Sequence, residues 1–119
     1  MRLSEAEYAA WSQRQAHHGA KDRERDFQAQ VLRLAQSSGW ACYHTHDSRK
    51  SQPGYPDLTM AKPGRLIFAE LKTKTGKLTQ DQAAWLNLLA TTVTGVEVYQ
   101  WTPNDWDEIL WILTGRRPA

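Results

Sequence analysis

Three residues carry the most chemical information in this chain of 119 residues: Asp57, Glu70 and Lys72. Between them, Lys62-Pro63-Gly64-Arg65 is a turn signal flanked by two short apolar stretches near 57–61 and 66–72. Folding those stretches into a hairpin about Pro63-Gly64 pairs 62 with 65, 60 with 67, 58 with 69 and 57 with 70. Asp57 then lies across from Glu70, with Cβ atoms about 5 Å apart. Lys72, two residues beyond Glu70, points to the same face. Carboxylates held that close repel and weaken a sheet unless something offsets them. A hard divalent cation does so, and Mg²⁺ typically binds through one or two carboxylates plus waters and phosphate oxygens. The set therefore suits metal-assisted hydrolysis of a phosphodiester, with Lys72 orienting the nucleophile and stabilising the developing charge. A surface Glu70–Lys72 pair with Asp57 capping a turn has the same spacing, and spacing alone leaves both open.

The elements that must hold these residues follow from pattern. Phe27, Val31, Leu34 and Ala35 recur at helical spacing within 24–38, and Gly39 supplies a stop. Residues 40–46 read as a strand, 47–55 as a loop with a Pro53-Gly54 turn, and the two hairpin strands follow. Thr79 with Gln82 three later is a capping-box pattern opening a helix with Trp85, Leu86, Leu88 and Leu89. Val96 to Trp101 alternates as a strand, and Thr102-Pro103 begins a last helix bearing Ile109, Leu110, Ile112 and Leu113. The strand around Ile67 is apolar on both faces, through Leu66 and Phe68 on one and Ile67, Ala69 and Leu71 on the other, so it needs helices on both sides of the sheet. The step from Leu71 through a helix to Val96 implies a parallel crossover. The expectation is an α/β fold with an αβββαβ core and a mixed sheet, a domain over 24–115, an N-terminal helix or arm over 1–23 and a tail over 116–119.

With these elements in place, Gly54-Tyr55-Pro56-Asp57-Leu58, Gly64-Arg65, Ala69-Glu70-Leu71-Lys72 and Gly76-Lys77-Leu78-Thr79 with Gln82 and Trp85 resemble the virus-type replication-repair nuclease (VRR-NUC) family of the PD-(D/E)XK nuclease superfamily. The resemblance runs from about Glu24 to Leu113. It implies a restriction-endonuclease-like fold and a DNA nuclease dependent on Mg²⁺ or Mn²⁺. Asp57 and Glu70 match the metal-binding carboxylates and Lys72 the catalytic lysine. A further acidic residue on the first helix matches Glu24, with Asp26 as the runner-up. Gln82 matches a glutamine near the site, and the Leu71 carbonyl corresponds to an extra metal ligand. A copy this small looks like the viral or bacterial type and resembles dimeric junction-resolving enzymes. That implies preference for branched DNA; the lone Cys42 makes a reducing, cytoplasmic setting the default, the host's cytoplasm if the source is viral.

Charge distribution agrees with a local anion-binding face. Residues 44–79 hold seven Lys/Arg against three Asp/Glu, while the flanks are near neutral and acidic, for a net charge of +2. Arg49, Lys50, Lys74 and Lys77 are candidates to neutralise a DNA backbone, and His44, His46 and Ser48 to contact phosphate and sugar. Tyr55 is a candidate to stack on a splayed base. Cys42 is the single cysteine, which excludes an intrachain disulfide and argues against zinc at the histidines. No apolar stretch can span a bilayer and no signal peptide is evident. Leu3, Tyr8 and Trp11 in the arm and the tryptophans of the last helix are material for a homodimer. The competing functions are a catalytically idle DNA-binding or assembly module and a nuclease subunit that needs a helicase partner.

Overall fold

A computed structural model describes residues 20–46, 52–73, 76–92 and 94–116. Helix α1 spans Ala20–Ser37, followed by strands β1 (Ala41–His44), β2 (Leu58–Lys62) and β3 (Arg65–Leu71). Helix α2 (Gln80–Thr92), strand β4 (Val96–Trp101), a 3₁₀ turn (Pro103–Asp105) and helix α3 (Trp106–Thr114) complete the chain. The sheet order is β1-β2-β3-β4, antiparallel between the first three strands and parallel between β3 and β4. The mixed α/β sheet of the sequence expectation is present, with helices on both faces.

The hairpin register is the expected one: Lys62 pairs with Arg65, Met60 with Ile67 and Leu58 with Ala69. Gly64 at the turn has φ +82°, a backbone region open to glycine and costly for other residues. Strand alternation then divides β3 by parity. Ile67, Ala69 and Leu71 join Leu58, Met60 and Trp101 in one buried cluster with Phe27, Val31, Leu34 and Ala35 of α1 and Ile109, Leu110 and Leu113 of α3. Leu66, Phe68 and Glu70 point to the opposite face, where α2 packs against β3 and β4. No residue of α2 is fully buried, and Leu88 is 56% exposed.

Helix α1 starts four residues before Glu24, the expected start. The first strand ends at His44 rather than His46. Trp40, expected to open that strand, is instead buried below it, its indole N–H donating to the Leu113 carbonyl at 2.9 Å. That bond ties the end of α1 to the end of α3. Most of the expected N-terminal arm, residues 1–19, lies outside the described residues, as do residues 117–119 of the tail.

Candidate active site

The hairpin delivers its two carboxylates to one place. Asp57 stands one step beyond the Leu58–Ala69 pair, which sets it across from Glu70. The Leu71 backbone N–H donates to Asp57 Oδ2 at 2.8 Å, so the carboxylate finishes the β2–β3 ladder and is fixed in orientation. On the other side, the Thr45 N–H donates to the Asp57 carbonyl at 2.9 Å, and the Thr45 hydroxyl to the Pro56 carbonyl at 2.8 Å. Glu70 in turn pairs with Gln100 of β4. One polar row, Thr45, Asp57, Glu70 and Gln100, therefore crosses four neighbouring chain segments on the face that carries α2.

Glu70 is 2% exposed, and its Oε1 is buried with no hydrogen-bond partner. Its other oxygen, Oε2, lies 3.5 Å from the Lys72 ammonium, whose side chain is 12% exposed. Burial, and then the Asp57 charge, push the Glu70 carboxyl up to about 7 against the pull of Lys72. Asp57 is raised as well, chiefly by burial, with the Leu71 N–H and Lys72 opposing the shift. A buried acceptor without a donor costs free energy, and two desolvated carboxylates side by side call for a positive charge beyond one lysine. The donor set is hard oxygen, which suits Mg²⁺ or Mn²⁺. Among the described residues, no three His, Cys, Asp or Glu side chains are grouped closely enough to share an ion. Asp57 and Glu70 supply two carboxylates, a number sufficient for Mg²⁺ when phosphate and water fill the remaining positions.

Glu24 is exposed on α1, and its carboxyl is raised by partial burial, lowered by the Lys72 charge and raised by that of Asp57. It lies in the field of the site without joining Asp57 and Glu70 in a three-carboxylate cluster. Leu71 is placed between Glu70 and Lys72, held by its bond to Asp57. Gln82 caps its own helix. Its side-chain oxygen accepts from the Thr79 N–H at 2.9 Å, while its backbone N–H donates to the Thr79 hydroxyl at 3.1 Å. This is the capping box read from the sequence, and it leaves only the amide nitrogen of the side chain for other partners.

The remaining candidates divide. His44 and His46 stand together, ring centroids 4.1 Å apart, at and just past the end of β1. Lys77 is exposed beyond the site strand. Ser48, Arg49, Lys50 and Lys74 lie outside the described residues. Tyr55 does not stand free in its loop. It meets Trp85 at 5.1 Å and Phe68 at 6.3 Å between centroids, edge-on to both, and so packs α2 onto the sheet.

The approach is tight at Gly54, where φ is +86° and an added Cβ would fall 2.4 Å from the Asp81 carbonyl carbon. The loop carrying Asp57 is seated directly against the first turn of α2. Two residues on this face were not among those the sequence singled out. Gln100 is visible only once the parallel register of β3 and β4 is known, and Tyr43 only once β1 is known to pair with β2.

The family model described as VRR-NUC domain matches residues 4–102 of the chain. No curated protein matches it at significant similarity.

Proposed function

This chain belongs to the VRR-NUC family of nucleases, and from that membership we propose that it is a Mg²⁺- or Mn²⁺-dependent DNA endonuclease acting on branched or junction DNA. The observation that carries the reading is Glu70: a carboxylate buried to 2% exposure, one oxygen without a partner, beside Asp57 and 3.5 Å from Lys72. Asp57 and Glu70 would hold the cation, with the Leu71 carbonyl as a further oxygen donor, while Glu24 would act on the site only through its charge. The bound ion supplies Lewis-acid polarisation of the phosphate and a water acidic enough to ionise near neutral pH.

The chain's own residues do the rest. The Leu71 N–H fixes Asp57 in one orientation, so no reorganisation is needed when substrate arrives. Lys72 holds the attacking water from the side opposite the apolar core and offsets charge that builds on the phosphate oxygens. The Gln82 amide nitrogen, free of the helix cap, is a donor for the same phosphate or water. Lys77, with Arg49, Lys50 and Lys74 of the basic middle, neutralises flanking phosphates, and Ser48 contacts the strand beyond β1; the expected contact of His44 and His46 does not fit, because His44 pairs with Leu58 and so shares the face opposite the carboxylates. A two-fold pair of chains would present two such sites to one branched duplex. The half-exposed Trp111 on α3 is material for that interface, and light scattering at micromolar concentration measures the mass.

The test is purified protein with Mg²⁺, Mn²⁺ or EDTA against linear, nicked, flapped and four-way DNA. Cleavage should require metal, favour the branched substrates and disappear in Asp57→Ala, Glu70→Ala and Lys72→Ala proteins that remain folded. Undiminished cutting in EDTA or by Glu70→Ala would refute the mechanism. Tight DNA binding without cutting under any metal would favour the idle binding module.

A further inference from the structure

Among the described residues, the face that carries the carboxylates is only half covered. Helix α2 lies over β3 and β4. Over β1 and β2 the same face presents Tyr43, at 60% the most exposed large hydrophobic side chain among the described residues. Tyr43 pairs with Thr59, and Thr59 with Phe68. Its ring therefore shares the face of Asp57 and Glu70, one row away, about 7 Å along the strands. Thr45 continues the strand from Tyr43 to the polar row itself, bonded to the Asp57 backbone. No ring contact joins Tyr43 to any described residue, in contrast to Tyr55, which is locked between Phe68 and Trp85.

A lone exposed aromatic is ordinary on a strand; what singles out Tyr43 is its place, on the face of Asp57 and Glu70 and one row from them. We propose that Tyr43 is the stacking platform for an unpaired nucleobase next to the phosphate cleaved between Asp57, Glu70 and Lys72. The inference rests on the nuclease reading above and specifies its substrate: DNA in which the base beside the cut is out of the duplex, as at a fray, a flap or a branch point. A paired base is held in the helical stack and cannot lie on the sheet without being extruded, at the cost of unstacking and unpairing. A base already unpaired pays no such penalty and gains the ring. Stacking is tolerant of base identity, since every base has a π face, so selectivity here is for structure and not for sequence.

The experiment compares the affinity of the full chain, with Ca²⁺ in place of Mg²⁺, for two duplexes identical except that one has unpaired bases at the branch. Wild-type protein should prefer the unpaired substrate. In Tyr43→Ala that preference should fall about tenfold, while Tyr43→Phe and Tyr43→Trp should keep it within about twofold, since the ring and not the hydroxyl is used. A 2-aminopurine beside the cut should be quenched on binding by wild type and by Tyr43→Trp, and not by Tyr43→Ala. Tyr43 is exposed, so equal melting temperatures of the variants check that folding is intact. Cleavage by wild type together with an unchanged preference in Tyr43→Ala would overturn this proposal and leave the nuclease reading standing. A loss of dimer mass in Tyr43→Ala without a change in preference would overturn it too, making the ring a subunit contact. A wild-type protein that binds neither DNA would overturn both.

Discussion

The two faces of the sheet are built to different specifications. One is sealed: α1 and α3 cover Leu58, Met60, Ile67, Ala69, Leu71 and Trp101, and the whole cluster excludes water. The other carries α2, none of whose residues is fully buried, and the charged pair Asp57 and Glu70. Strand β3 belongs to both. Its odd positions stabilise the fold and its even positions lead from Leu66 and Phe68 to Glu70. A single period-2 alternation thus separates the residues that hold the structure from those proposed to act, and substitutions one position apart should have unrelated consequences.

The sharpest contrast is at Glu70. Glu70→Gln should lower cleavage by about a hundredfold or more, the scale on which one preorganised electrostatic contact counts, and yet stabilise the metal-free protein at pH 8. The sign follows from the carboxyl lying at about 7 in the folded chain against an ordinary 4.5. The folded state holds its proton more tightly than the unfolded chain does. The group's contribution to stability is therefore greatest below pH 4.5 and is lost as pH rises to about 7. Glutamine mimics the neutral acid, so its melting temperature should exceed wild type at pH 8 and equal it near pH 4. Mg²⁺ should raise the wild-type melting temperature more at pH 8 than at pH 6, because cation and proton compete for the same oxygens. Equal shifts at both pH values would remove the cation from Glu70.

On the sealed face the reverse holds. Ile67→Ala should cost about 2–4 kcal/mol in a denaturant melt, as a cavity in a packed core does, and should leave the residual folded protein competent. Val98→Ala, half-buried on the open face, should cost about 1 kcal/mol. Similar losses at the two positions would erase the distinction between the faces. Gly54→Ala lies between these cases. Its Cβ meets the backbone of Asp81, so the loop or α2 must shift. A loss of about 1–3 kcal/mol is expected, with a drop in cleavage larger than that loss of stability explains, because Asp57 follows three residues later.

The smallest effect belongs to the Arg65–Glu97 pair at the far end of β3, 2.7 Å apart and a third exposed. The Arg65 guanidinium holds the Glu97 carboxyl below its ordinary value of 4.5. Its stabilisation is present above that pH and lost as pH falls further. Glu97→Gln should remove about 0.5 kcal/mol at pH 7 and flatten the acid limb of the stability curve without touching cleavage.

The hairpin and its site are legible in the sequence because they are local. Pro63-Gly64 marks the turn, and from it the facing of Asp57 and Glu70 follows by counting. The box of Thr79 and Gln82, and the start of β4 at Val96, are equally local and stand as expected. What depends on distant packing is not legible. Tyr55 has the composition of a free loop aromatic, and only the arrival of Trp85 from α2 and Phe68 from β3 takes its ring. Trp40 has the pattern of a strand's first residue, yet its indole answers to a carbonyl 73 residues away. Tyr43 and Gln100 need the register of β1 and β4, which no local signal sets. Residues 47–51, where Ser48, Arg49 and Lys50 fall, and Lys74 lie outside the described residues, so their expected contacts rest on charge alone.

The bond from the Leu71 amide to Asp57 Oδ2 has a spectroscopic consequence. An amide proton that donates to a carboxylate changes its magnetic environment when that carboxylate takes up a proton or shares its charge with a cation. Leu71 is buried in the sheet, so its amide exchanges slowly and its resonance persists across a titration. The chain therefore contains its own reporter: one backbone cross-peak that follows the state of Asp57 from inside the fold, with no label added and no substrate turned over.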